Sequence, residues 1–189
     1  PSSSRSVPNS WADEAISHFE AGFPLMKVQL VSGDDDALAC MRAIGKAIQG
    51  KPIGLMVDTN HAYGRAEALR LGRALEEYGL RWYEEPVVPE DIDGYVEMRS
   101  KLPMPIAGGE NEHTLYGFGQ FLRAGAVDIA QPDIGSCGGI SAARHIMALA
   151  QSLGVQVNPH VWGSAIAQAA SLHVIAAVPN AHHSLFPQQ

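Results

Sequence analysis

Six residues able to bind a cation or move a proton recur down the chain at nearly even intervals. Lys27, Asp58, Glu84, Glu110, Asp133 and His160 are separated by 31, 26, 26, 23 and 27 residues. Each lies in, or just beyond, a short apolar run. Such an interval holds one strand, one helix and two loops. A parallel barrel opens all its strand C-terminal ends at one mouth, so residues distant in sequence would converge there. Asp58, Glu84 and Glu110 come from successive strands, and three hard anionic oxygens with room for water suit an octahedral Mg²⁺. Without a cation the three would repel one another and take protons back.

Side chains at i and i+2 on a strand share a face. Lys27 then pairs with Gln29, Asp58 with Asn60, Glu110 with Glu112, and Gln131 with Asp133. Taken singly, a strand-end acid is as well explained as a loop anchor or helix cap. Three on neighbouring strands favour a cation site. Asp133 and His160 close adjacent strands, where a carboxylate can accept from one imidazole nitrogen and fix the tautomer, leaving the other as a base. Lys27 sits inside an apolar run rather than on a polar face. Glu85, next to Pro86, is expected to point away from Glu84 and brace its loop. Cys137 has no base obviously paired with it, and its glycine-rich surroundings suit close approach to the cup or an anionic ligand. His61, His113, His182 and His183 have no comparable partner, and the last two are expected at the surface.

The elements that would position these groups alternate without a break. Strands are expected at Leu25–Leu30, Ile53–Asp58, Leu80–Glu84, Pro105–Gly109, Val127–Gln131 and Val155–Pro159. Helices are expected at Asp34–Ile48, Arg65–Tyr78 (closed by Gly79), Pro89–Leu102, Leu115–Ala124, Ile140–Leu153 and Ala165–Val178. Pro89 suits a first helical turn. The strands read as continuous apolar runs, as parallel strands covered on both faces do. Strict alternation gives an α/β fold, and the absence of a G-x-G-x-x-G or P-loop after any strand favours a parallel (β/α) TIM-type barrel over a doubly wound sheet. A full barrel has eight units and this chain supplies about six, so it is expected to be an incomplete barrel from a longer protein. Residues 1–21 read as a loop leading in, and 22–189 as the partial barrel.

Bulk properties narrow the classes. The 189 residues are 46% hydrophobic, enough for a sizeable core, and carry a net charge of −7 with no long basic run. Nucleic acid is therefore not an expected partner. Two cysteines make no disulfide framework, no apolar run reaches 18 residues and no signal peptide is evident, so a cytoplasmic setting away from membranes is expected.

The ordered motifs resemble the barrel domain of the enolase superfamily, in its mandelate racemase/muconate-lactonizing branch. They are Gly22-Phe23 before Lys27, Val57-Asp58-Thr59-Asn60, Trp82-Tyr83-Glu84-Glu85-Pro86, Gly108-Gly109-Glu110-Asn111, Gln131-Pro132-Asp133 with Gly138-Gly139, and Pro159-His160. Glu84–Glu90 and Pro159–Gly163 look closest to the family's sugar-acid members, the galactarolactone cycloisomerases and acid-sugar dehydratases. The resemblance implies Mg²⁺ held by Asp58, Glu84 and Glu110 and a small-molecule carboxylate, a sugar acid or lactone, as substrate. It implies proton abstraction beside that carboxylate, giving an enediolate, with the His160–Asp133 dyad as the base and Lys27 as the ammonium that stabilises the developing charge. Gln29, Asn60, Glu112 and Trp162 are expected around the substrate. The family commonly has Lys-x-Lys where this chain has Lys27-Val28-Gln29. A glutamine takes no proton at neutral pH, which favours a one-base elimination over racemisation. Such proteins also carry an N-terminal capping domain and a last barrel strand, both expected to be missing here, and they commonly form homo-oligomers.

Overall fold

In the computed structural model, which describes residues 8–177, six parallel strands pair in strict sequence order, β1 to β6. The strands are β1 Leu25–Gln29, β2 Gly54–Asp58, β3 Tyr83–Glu84, β4 Ile106–Gly108, β5 Ile129–Ala130 and β6 Gln156–Val157. The helices are α1 Pro8–Glu20, α2 Asp34–Ile48, α3 Arg65–Ala74, α4 Ile92–Lys101, α5 Thr114–Arg123, α6 Gly139–Ser152 and α7 Ala165–Ala176. A doubly wound sheet reverses its strand order at a switch point, whereas this one walks in a single direction, as barrel strands do. Among the described residues β1 and β6 each pair with one neighbour only, so the sheet is open.

Alternation along the strands produces two surfaces. Val57, Tyr83, Ile106, Ala130 and Val157 face the helices and join the main core. Met56, Trp82, Ala107 and Ile129, with Leu25 against them, form a second apolar cluster on the other face. Two residues further along the same face stand Lys27 (after Leu25), Asp58 (after Met56), Glu84 (after Trp82) and Gln131 (after Ile129). The sheet thus places an apolar floor under a polar mouth.

Several local expectations change. Residues 8–20 form a helix rather than a loop: Trp11, Ala15 and Phe19, four apart, lay one face of α1 on the core. The helix expected over 65–78 ends at Ala74 and tightens into a 3₁₀ turn over Glu76–Tyr78, with Gly79 left-handed at φ 59° as its cap. Helix α4 starts at Ile92, not Pro89, because the Asp91 carboxylate accepts the Gly94 N–H and caps it there. Strands β3, β5 and β6 are only two residues long; the rest of each apolar run is extended chain outside the ladder. His182, His183 and Val178 lie outside the described residues.

Candidate active site

Asp58 ends β2 and Glu84 ends β3, and the ladder sets them side by side in register. Glu110 lies two residues past β4. Gly109 makes the turn to it at φ 120°, and a Cβ there would meet the Phe118 ring at 2.9 Å, so only glycine fits. One oxygen from each of the three acids lies within 4.8 Å of the others. Lys27 Nζ donates to Glu84 Oε1 at 2.7 Å and sits 3.1 Å from Asp58 Oδ2. Trp82 Nε1 donates to the other Glu84 oxygen at 2.8 Å. On the far side His160 Nδ1 lies 2.7 Å from Asp133 Oδ2, and His160 Nε2 lies 3.4 Å from Glu110 Oε2. Asp133 is held in turn by the Gly135 N–H on Oδ1 at 2.6 Å. A cavity of about 700 Å³ opens over this face, and Lys27, Asp58, Gln131, Asn158, His160 and Trp162 are among its walls.

One ammonium faces three carboxylates, and the electrostatics show the imbalance. Burial alone would push Lys27 down, but Glu84 and Asp58 outweigh it and hold the ammonium above its ordinary range. Burial, then Glu84, push Asp58 up against the pull of Lys27. Burial, then Glu85, push Glu110 up to about 7. Glu110 Oε2 is buried and has no hydrogen-bond donor. A buried acceptor without a donor, in a set of hard oxygens short of positive charge, fits a small divalent cation. Among the described residues this is the group of acids, histidines or cysteines close enough together to hold one.

The residues expected around the substrate divide. Gln29 and Trp162 line the cavity. Asn60 has φ 43° and donates its side-chain amide to Glu85 Oε2 at 3.2 Å. Glu112 lies over the first turns of α5, where a Cβ on Gly117 would come within 2.3 Å of its Oε2. Glu85 is only 1% exposed, and its carboxylate is held by the Asn60 and Asn111 amides. Burial pushes its carboxyl up to about 7, with the Asn111 amide pulling the other way and Asp58 adding to the rise. Cys137 is buried, and burial followed by Asp133 pushes its thiol up, the reverse of an activated nucleophile. His113 Nδ1 meets the Ser136 carbonyl at 3.2 Å. Trp82 is not among the residues expected at the site, whereas Gln131, expected on one face with Asp133, lines the cavity. Trp82 belongs to the site through Glu84, and the signal was its i−2 position on the same strand face. Gln131 is 2% exposed, with an Oε1 that has no donor.

A sheet walking in one direction, with acids and a histidine–aspartate pair gathered at its strand ends, defines a (β/α)-barrel of the kind that works at its mouth. The chain belongs to the Enolase C-terminal domain-like family, whose pattern it matches over residues 10–187. It is 43% identical over 167 residues to D-galactarolactone cycloisomerase of Agrobacterium fabrum, covering 88% of this chain and 44% of that protein. It is 33% identical over 167 residues to arabinonate dehydratase of Saccharolobus solfataricus, again 88% of this chain and 44% of that one. The crystal structure of 3,6-anhydro-D-galactonate cycloisomerase from Zobellia galactanivorans superposes with a TM-score of 0.89 at 40% identity, covering 94% of this chain and 50% of that one. The chain thus spans about half the length of the proteins it matches. Among the described residues no helix is long and apolar enough to cross a membrane.

Proposed function

We propose that this chain carries the proton-abstracting and cation-holding part of a lyase or isomerase acting on a sugar acid or its lactone. The observation that carries the reading is the disposition of charge. Lys27 on β1 stands at one end of the strand order and the His160–Asp133 pair, His160 after β6 and Asp133 after β5, at the other, with the three acids between them. Asp58, Glu84 and Glu110 would hold Mg²⁺, which when bound supplies divalent charge for the substrate carboxylate.

The proton on the carbon beside a carboxylate is very weakly acidic, and its loss places a second negative charge on the same group. Lys27 is positioned to offset that charge as it develops, in a site where burial strengthens the interaction. Asp133 keeps the proton on His160 Nδ1 and leaves the Nε2 lone pair to take the carbon's proton. In a dehydration that proton then joins the departing hydroxyl on the next carbon, which leaves as water. In lactone opening the leaving group is the lactone's own carboxylate. Gln29 on the cavity wall has no lone pair basic enough to serve as a second base, so one histidine serves both halves of the reaction. Gln29 and Trp162 contact the substrate's hydroxylated chain.

The test is to incubate the intact protein with Mg²⁺ and a panel of sugar acids and lactones in D₂O and follow the α-proton by NMR. Native protein exchanges or eliminates at least one member of the panel, and His160→Asn slows this by about 10²–10⁴-fold. Native rates in His160→Asn, or no exchange by native protein with Mg²⁺ bound, would contradict the reading.

A further inference from the structure

The three acids of the triad are each followed, one or two residues later, by a member of a second cluster that the proposed chemistry does not use. Asp58 is followed by Asn60, Glu84 by Glu85, and Glu110 by Asn111. Glu85 stands between the two amides: Oε2 accepts from Asn60 Nδ2 at 3.2 Å and Oε1 from Asn111 Nδ2 at 2.7 Å. Glu85 is almost wholly buried, so neither contact is a surface accident.

The backbone bends to make this arrangement. Glu85 adopts φ 46° and Asn60 φ 43°, in the left-handed region that asparagine tolerates but that strains a glutamate. Main-chain bonds lock the same three loops. Thr59 N–H donates to the Glu84 carbonyl at 3.0 Å, His61 N–H to the Glu85 carbonyl at 2.9 Å, and Glu85 N–H to the Ala107 carbonyl at 3.1 Å. Thr59 Oγ1 also donates to the Glu85 carbonyl at 2.8 Å. A strained residue held by this many contacts has a conformation imposed by its surroundings.

From this geometry we infer that Glu85 is a positioning residue: with Asn60 and Asn111 it clamps the three strand ends that carry Asp58, Glu84 and Glu110 at the separation a small, rigid cation requires. The inference rests on the cation-holding role proposed above. Mg²⁺ demands near-ideal octahedral geometry, whereas Ca²⁺ is larger and accepts looser, irregular ligation. The clamp therefore sets selectivity as well as affinity. Residues that orient metal ligands cost about 10–100-fold in metal affinity when removed.

Calorimetric titration of the intact protein with Mg²⁺ alone and with Ca²⁺ alone tests this, comparing native protein, Glu85→Ala, Asn111→Ala and the double variant. Each single variant is expected to bind Mg²⁺ about 10–100-fold more weakly, with the preference for Mg²⁺ over Ca²⁺ reduced. The double variant is expected to be no worse than Glu85→Ala, because both changes remove the same contact. A residue that merely supports the fold would lower the melting point without changing the ratio of the two affinities. Asn111→Ala tests the inference independently should Glu85→Ala fail to fold. Native affinity and native ion preference in a folded variant would overturn the clamp alone. Native protein that binds no Mg²⁺ would overturn the triad reading and the clamp with it.

Discussion

Lys27 lies 2.7 Å from Glu84 and 3.1 Å from Asp58 in the cup, while on the surface Arg99 lies 2.7 Å from Asp128 and Lys101 2.6 Å from Glu97. The distances match and the consequences do not. On the surface, water already solvates both partners; Lys101 holds Glu97, and Arg65 holds Asp91, below the usual carboxylate range. In the cup, burial removes that solvation, and one ammonium cannot compensate three acids; Asp58 and Glu110 are pushed up despite it. A surface pair is complete as it stands. The buried cluster is short of positive charge, as a group able to hold a cation would be.

Removing a partner from each region should separate them. Lys27→Met leaves Asp58 and Glu84 buried with no ammonium beside them, and is expected to lose about 3–5 kcal/mol of stability in a chelator. Added Mg²⁺ should restore most of it, a result readable by urea denaturation with and without the ion. Equal stability with and without Lys27 would erase the distinction drawn here.

At the surface the effect is smaller and comes from a different source. Asp91→Ala is expected to cost about 1 kcal/mol, chiefly through loss of the α4 cap rather than the ion pair. The pH dependence has a definite sign. The Arg65 contact, aided by the Gly94 N–H, holds the Asp91 carboxyl below its unfolded value. Its contribution is present above that unfolded value and is lost as pH falls through the folded one. The difference in stability between native protein and Asp91→Ala should therefore shrink on acidification, in denaturation midpoints measured from neutral to strongly acidic pH. High salt should weaken the Arg65 part of it while leaving the cup intact.

The six-strand frame was legible because period and spacing survive local variation. An apolar run closing on a lysine, an acid or a histidine every 23 to 31 residues signals one βα unit whatever its loops do. The triad and the His160–Asp133 pair followed from that frame, since adjacent parallel strands bring their ends together. Helix α1 was missed because Pro8-Asn9-Ser10 opens it with loop-forming residues, although Trp11, Ala15 and Phe19 carried the helical period. The start of α4 depended on one aspartate capping in place of a proline, a choice that local propensity does not fix. For Glu85 the sequence suggests only a brace for its own loop, not a contact with the two neighbouring loops. A glutamate in the left-handed region has no signature in composition or period; only the folded loops bring Asn60 and Asn111 to it. Glu84's bond from Trp82 lay within reach of the strand's two-residue period and was overlooked because tryptophan on an apolar face reads as core.

If the acids at the strand ends hold a cation, Mg²⁺ titration of native protein beside Glu110→Gln will show it. Glu110 Oε2 is buried without a hydrogen-bond donor, with His160 Nε2 3.4 Å away, so replacing Glu110 removes an acceptor that an ion would satisfy. Native protein is expected to bind Mg²⁺ at one saturable site, weakened at least about tenfold in Glu110→Gln with the fold retained by circular dichroism. Folded native protein without saturable binding, or a Glu110→Gln variant that binds as tightly as native, would contradict it.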